Sequence, residues 1–276
     1  MSSNQKEKNK AIFSYNSPIL TEQRNLAHGF FTRIGGISRL AYQSLNCNTQ
    51  SSDKIENVIK NQTIICHNLG FTHSNLKMAD QIHSASVIII KDKDQQTSHL
   101  KADALVTQSS NILLGIKTAD CVPILFFDNK SNTIGAAHAG WKGALSGVIG
   151  NTILAMQSLG AQINDIIATI GPCIQQPSYE VDECLHAKFI EKDCENKQFF
   201  ISSNKANHYL FDLPGYCIAC LKKIGIRTID NLNIDTYSNA DTLFSFRRST
   251  HETNRLINPI ECGRQLSAIG LLLNYE

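Results

Sequence analysis

Between residues 104 and 138 the chain places four short apolar runs, at 104–106, 113–116, 124–127 and 133–138, almost end to end. They are too short for helices and alternate little between apolar and polar residues, so they predict strands covered on both faces. The turn residues Asp128-Asn129-Lys130-Ser131-Asn132 separate the last two runs as in a hairpin, which argues against an all-parallel sheet.

Helical patterns flank this block. Over 53–69, Ile55, Val58, Ile59, Ile65, Cys66 and Leu69 fall near one face, Asp53 and Glu56 form a capping-box pattern, and Gly70 suits the position after the helix. A second helix is expected from Lys142 or Gly143 to Leu159, stopped by Gly160, and others over 181–191 and 213–224, the last ended by Gly225. Further strands are expected at 85–90, at 166–170 before Gly171-Pro172, and at 226–231. The mixture is of the α/β or α+β class. No repeat or low-complexity linker divides the 276 residues, so residues 11–276 read as one domain behind a disordered polar tail, 1–10.

Composition limits the function classes. With 42% hydrophobic and 18% charged residues and a net charge of +2 without a basic stripe, nothing marks a nucleic-acid partner. No apolar run reaches the roughly 20 residues that span a bilayer, and no apolar segment follows the lysine-rich start as in a signal peptide. Nine cysteines, an odd and scattered set, point to reduced thiols in the cytoplasm.

Three segments put ligand-type side chains at the ends of apolar strands: Ala79-Asp80-Gln81-Ile82-His83, Thr118-Ala119-Asp120-Cys121-Val122-Pro123, and Ala136-Ala137-His138-Ala139-Gly140-Trp141-Lys142-Gly143. Zinc favours thiolate and neutral imidazole, and a catalytic zinc keeps three protein ligands and one open position. His83, Cys121 and His138 suit that chemistry by type, although each alone reads equally well as packing. Gly140 and Gly143 flank a strand-to-helix turn whose free N–H groups, with Lys142, could hold an anion; Thr32-Arg33-Ile34-Gly35-Gly36 carries a similar mixture. Cys217 and Cys220 form a CxxC on an expected helix and read as core.

Together these segments resemble the YfiH-like or laccase-domain family, described as multifunctional purine nucleoside phosphorylases and formerly as polyphenol oxidases. The resemblance runs through His28-Gly29-Phe30-Phe31-Thr32-Arg33-Ile34-Gly35-Gly36, Gln81-Ile82-His83, Ala102-Asp103-Ala104-Leu105-Val106-Thr107, the ADCVP and AHAGWKG blocks, Ile170-Gly171-Pro172-Cys173-Ile174, Ser178-Tyr179-Glu180-Val181 and Phe244-Ser245-Phe246-Arg247-Arg248. It implies one α+β domain with two mixed β-sheets packed between helices, and a zinc on His83, Cys121 and His138. It also implies phosphorolysis of adenosine, inosine and methylthioadenosine and deamination of adenosine, so the partners expected are a nucleoside and phosphate. In that scheme Arg33 and Lys142 hold phosphate and Asp120 moves protons. Two departures touch the site's rim: Asp235 stands where a cysteine is usual, and an insert, His251 through Cys262, precedes the Gly263-Arg264 pair. Three other readings use the same residues: a cysteine hydrolase, such as a peptidoglycan-precursor editing enzyme, with Cys121 as nucleophile; a copper-dependent polyphenol oxidase, for which the HxH pairs are absent; and a non-catalytic binding protein.

Overall fold

The computed structural model describes residues 11–253 and 260–273; the expected tail, 1–10, and residues 254–259 of the insert lie outside them. Two mixed sheets pack face to face. The first has the order β1 (Ser14–Tyr15), β2 (Leu26–Phe31), β14 (Gln265–Leu271), β6 (Leu113–Thr118), β3 (Leu76–Lys77). The second has the order β13 (Thr228–Asn231), β9 (Ile166–Ile170), β7 (Val122–Asp128), β8 (Thr133–Ala139), β5 (Ala104–Thr107), β4 (Val87–Ile90). Only β3 with β6, β4 with β5 and β13 with β9 run parallel; the remaining pairs of these two sheets are antiparallel.

Alternation along the strands divides the core. Leu125 and Phe127 of β7 meet Phe30, Leu114, Ile116 and Ile269 between the sheets. Val122, Ile124 and Phe126 of the same strand face outwards into a second core. That core is closed by α4 (Val148–Ser158), α5 (Glu183–Lys192) and α6 (Leu213–Ile224), through Ile153, Phe189 and Leu221. A small antiparallel sheet, β10 (Glu180–Asp182), β12 (His208–Phe211) and β11 (Phe200–Ser202), joins it and was not expected. On the far side, α2 (Ile55–Asn68) lays Ile65 and Cys66 on Phe31, Leu113 and Leu266 of the first sheet. Three short helices complete the fold: α1 (Pro18–Thr21), α3 (Trp141–Ser146) and α7 (Phe246–Glu252). No helix among the described residues is long and apolar enough to cross a membrane.

The four apolar runs are strands, each buried throughout, and the 128–132 turn is the β7–β8 hairpin. Four expectations need correction. The single helix over 142–159 is two, α3 and α4, because Gly147 takes φ +95° between them. The helix expected from 181 starts at Glu183, since residues 180–182 pair with β12 and Asp182 caps the helix by accepting the Leu185 N–H. Asp53 does not cap α2: its carboxylate accepts from the Ser38 hydroxyl at 2.6 Å and the Asn46 amide at 3.0 Å, tying down the 38–46 loop. Ile55 and Ile59 are on the exposed side of α2.

His28 on β2 illustrates how the sheets are pinned together. Its Nε2 accepts the Ser17 N–H at 3.0 Å, while the Ser17 hydroxyl donates to Asp230 on β13 at 2.6 Å. Burial lowers the imidazole pKa to about 4. The folded state therefore binds this proton less readily than the unfolded chain, whose histidine titrates near 6.5. The contribution is complete above that value and is lost as pH falls towards 4, an amount of about 3 kcal/mol at most. Urea unfolding at pH 7 and pH 4.5 is expected to reveal that drop in the wild type and a smaller one in His28→Gln; equal pH dependence in both would show that His28 does not carry it.

Candidate metal centre

The three ligand-type residues sit on three separate strand ends of the second sheet and its approach. Cys121 precedes β7, His138 is the penultimate residue of β8, and His83 lies in the segment leading to β4. The β7–β8 register places Pro123 opposite His138, so the hairpin brings Cys121 alongside the imidazole. His83 Nε2 is 3.8 Å from Cys121 Sγ, the two imidazoles stand edge to face at 4.8 Å, and one ligand atom from each residue lies within 4.8 Å of the others. Two donors on one tetrahedral zinc at ordinary bond lengths are roughly 3.6 Å apart. The donor set and its spacing thus fit a single ion, and among the described residues no other group of three such side chains does.

Asp103, at the entry to β5, organises the centre. One of its oxygens takes the His138 Nδ1 at 2.8 Å and the His83 N–H at 2.9 Å. The other accepts the Ser84 N–H at 2.6 Å and the Ser84 hydroxyl at 2.7 Å. The Nδ1 contact leaves His138 Nε2 as the free donor of the ring. Burial alone would raise the Asp103 pKa, but the bonds from His138 and Ser84 outweigh it and hold the carboxyl at about 2. Burial pushes the Cys121 thiol up, yet His138 and His83 bring it down to about 6. Burial likewise lowers His138, while Cys121 and Asp103 together raise it to about 9.

The backbone is bent to make this possible. His83 and Asp120 adopt φ of +60° and +89°, an arrangement costing on the order of 1–3 kcal/mol each for residues with a Cβ. Gly140 is needed for space: a Cβ there would lie 2.7 Å from His83 Cδ2 and 3.0 Å from Cys121 Sγ.

Other expected site residues are placed elsewhere. Asp120 gives one oxygen to the Thr236 hydroxyl at 2.6 Å and the other to the Arg247 N–H at 2.7 Å, so it fixes the start of α7. Arg33 donates to the carbonyls of Gln43 and Ala240 and lies 4.8 Å over the Phe244 ring, outside the residues that line the cleft at the triad. Lys142 is exposed over Trp141, and α3 is a helix of six residues. Cys217 is buried in the outer core, as expected of the CxxC. Asp235, the departure at the rim, accepts the Gln175 N–H and the Ser178 hydroxyl and anchors the turn before Tyr179.

The cleft itself has a volume of about 320 Å³. The triad forms one wall; Lys117, Thr118, Phe246 and Arg264 line the rest, with Asn48, Gln50 and Gln81 at the edge. Sequence reasoning gave Asp103, Lys117 and Arg264 no role. Asp103 had a signal, since a carboxylate that opens a buried apolar strand must be matched by several donors.

The chain is similar to known proteins over most of its length. Residues 27–271 match the family described as multi-copper polyphenol oxidoreductase laccase. A purine nucleoside phosphorylase of Rickettsia conorii is 40% identical over 182 residues, 66% of this chain and 74% of its own. One of Bacteroides thetaiotaomicron is 31% identical over 263 residues, 92% of this chain and 97% of its own. The crystal structure of the hypothetical protein YfiH of Bacillus licheniformis superposes with a TM-score of 0.82 at 29% identity, covering 91% of this chain and 94% of that one.

Two variants test the centre. Asp103→Asn is expected to weaken zinc binding roughly 10–100-fold, the usual result of losing a carboxylate behind a metal-binding histidine. Gly140→Ala, which crowds two ligands at once, should do so without unfolding the hairpin. Competition with a chromophoric chelator measures both; wild-type affinity in Asp103→Asn would remove the carboxylate from the metal site.

Proposed function

The chain belongs to the multi-copper polyphenol oxidoreductase laccase family, and on that footing we propose that it is a zinc-dependent purine nucleoside phosphorylase. The observation that carries the reading is a cysteine and two histidines whose ligand atoms lie within 4.8 Å of one another, on the wall of a cleft that also holds two cations and an exposed ring. The names of the Rickettsia and Bacteroides relatives supply the reaction class. Adenosine, inosine and methylthioadenosine are the proposed substrates, with deamination of adenosine as a second activity of the same centre.

In phosphorolysis a phosphate oxygen bonds to the sugar C1′ as the C1′–N9 bond breaks, and the purine leaves with the electron pair and takes up a proton. Zinc held by His83, Cys121 and His138 would act as a Lewis acid on a substrate oxygen or nitrogen. The chain's own residues do the positioning. Phe246, 40% exposed, offers a ring face to the planar base. Asp120 keeps Phe246 in place through the neighbouring Arg247 N–H. Asp103 keeps the donor nitrogen of His138 turned to the ion. Copper suits these donors too, but the multinuclear copper centre in the family's description needs more histidines than this group of three contains.

The low Cys121 pKa favours a second reading. Asp103, His138 and Cys121 stand in the order of a carboxylate, a base and a nucleophile, as in a cysteine hydrolase.

Two measurements decide between these readings. Metal-replete protein is expected to release free purine and a sugar 1-phosphate from adenosine or inosine only when phosphate is present, and to lose that activity at least ~100-fold on chelation, the scale of a lost electrostatic catalyst. Phosphate-independent release would overturn phosphorolysis. Iodoacetamide should modify Cys121 rapidly in stripped protein and slowly in the zinc form; fast labelling of the zinc-loaded form would favour the hydrolase.

A further inference from the structure

The cleft beside the triad contains two cations without a carboxylate partner among the described residues and one hydroxyl without any. Lys117, at the end of β6, is only 9% exposed, and no carboxylate lies within salt-bridge distance of it among the described residues. Burial holds its ammonium below the ordinary lysine value; Asp80 draws the value up and Arg264 pushes it down. Asp80, the nearest carboxylate in influence, accepts the Gln50 amide at 2.7 Å instead. The Thr118 hydroxyl is fully buried and has no hydrogen-bond partner among the described residues. Arg264 lies 5.3 Å over the Phe246 ring and donates to the carbonyls of Cys262 and Gly263, and it makes no carboxylate pair among the described residues.

A mostly buried cation without a counter-charge and a buried hydroxyl without a partner are both costly, and each is relieved by an anion with several acceptor oxygens. No carboxylate lines this cleft to compete with such an anion. The backbone of Lys117 is clamped on both sides, its N–H donating to the Gln81 side-chain oxygen and its carbonyl accepting from the Gln81 amide, each at 2.8 Å. The site is therefore held in shape in advance.

We propose that Lys117, Thr118 and Arg264 bind a tetrahedral phosphate dianion next to His83, Cys121 and His138. That this anion is the attacking inorganic phosphate rests on the phosphorylase reading; the other source of the same chemistry is the phosphate of a nucleotide. Arg33 and Lys142, which the sequence suggested for this task, leave it to residues four and three positions before the cysteine ligand and to the arginine opening β14.

The test uses the full-length, zinc-loaded chain with inorganic phosphate and, separately, adenosine 5′-monophosphate, titrated calorimetrically. Lys117→Met, which keeps the volume and removes the charge, is expected to weaken phosphate binding about tenfold, the scale of one charge-assisted hydrogen bond. Thr118→Val keeps the shape of the strand and should weaken it by a smaller factor. The KM for phosphate should rise in parallel while the KM for the nucleoside holds. Weakening confined to the nucleotide would support the dianion site and assign it to a phosphate ester. If both variants bind phosphate and the nucleotide as the wild type does while phosphorolysis proceeds, the subsite is wrong and the phosphorylase reading survives. If the variants lose phosphate binding but wild-type protein cleaves no nucleoside, the subsite stands and the phosphorylase reading falls.

Discussion

The carboxylate of Asp103 joins parts of the chain that have no other reason to meet. Its oxygens collect the N–H groups of His83 and Ser84, the Ser84 hydroxyl and the Nδ1 of His138. Each bond does more than satisfy a buried charge. The N–H contacts hold a segment whose His83 takes positive φ, and the Nδ1 contact decides which imidazole nitrogen faces Cys121. A carboxylate with fewer donors in this apolar setting would protonate, and the segment before β4 would relax out of the left-handed region. The way His83, Cys121 and His138 are brought together is thus inseparable from the ionisation of one aspartate.

Close approach is the second constraint. The β7–β8 hairpin delivers Cys121 and His138, but His83 arrives from the opposite side of β5 and can reach them only across Gly140. The strain at His83 and the missing side chain at 140 are therefore two parts of one solution. Gly143 serves the same approach from the next turn, since a Cβ there would come within 2.8 Å of the Ser84 carbonyl. Such features cost folding energy locally, and the fully buried strands around them supply the rigidity that keeps them in place.

These dependencies explain what could be read from the sequence. The central strands were legible because residues buried on both faces leave an uninterrupted apolar run, as in Ile124–Phe127. The proximity of His83, Cys121 and His138 was only faintly legible from donor types at strand ends, and it was the resemblance of the surrounding segments that singled the three out. β14 was not legible, although it lies at the centre of the first sheet: Gln265, Ser267 and Gly270 break the apolar pattern, and it is the pairing with β2 and β6 that defines it. Arg33 and Lys142 show how far a local signal reaches. A cation beside glycines looks like an anion site, yet Arg33 serves to join two loops and Lys142 to cover an indole. Lys117 carried no local signal because what marks it, burial with no carboxylate in salt-bridge distance among the described residues, is a property of three-dimensional packing alone.

The same logic separates one thiol from its companions. Burial raises the pKa of Cys47, Cys173 and Cys217, and brings Cys66 to about 12, so that these remain neutral fillers of the core. Cys121 is subject to the same penalty but faces two imidazoles, and its pKa falls to about 6. What sets it apart from the other buried thiols is the pair of imidazoles it faces, one of which Asp103 holds by its Nδ1.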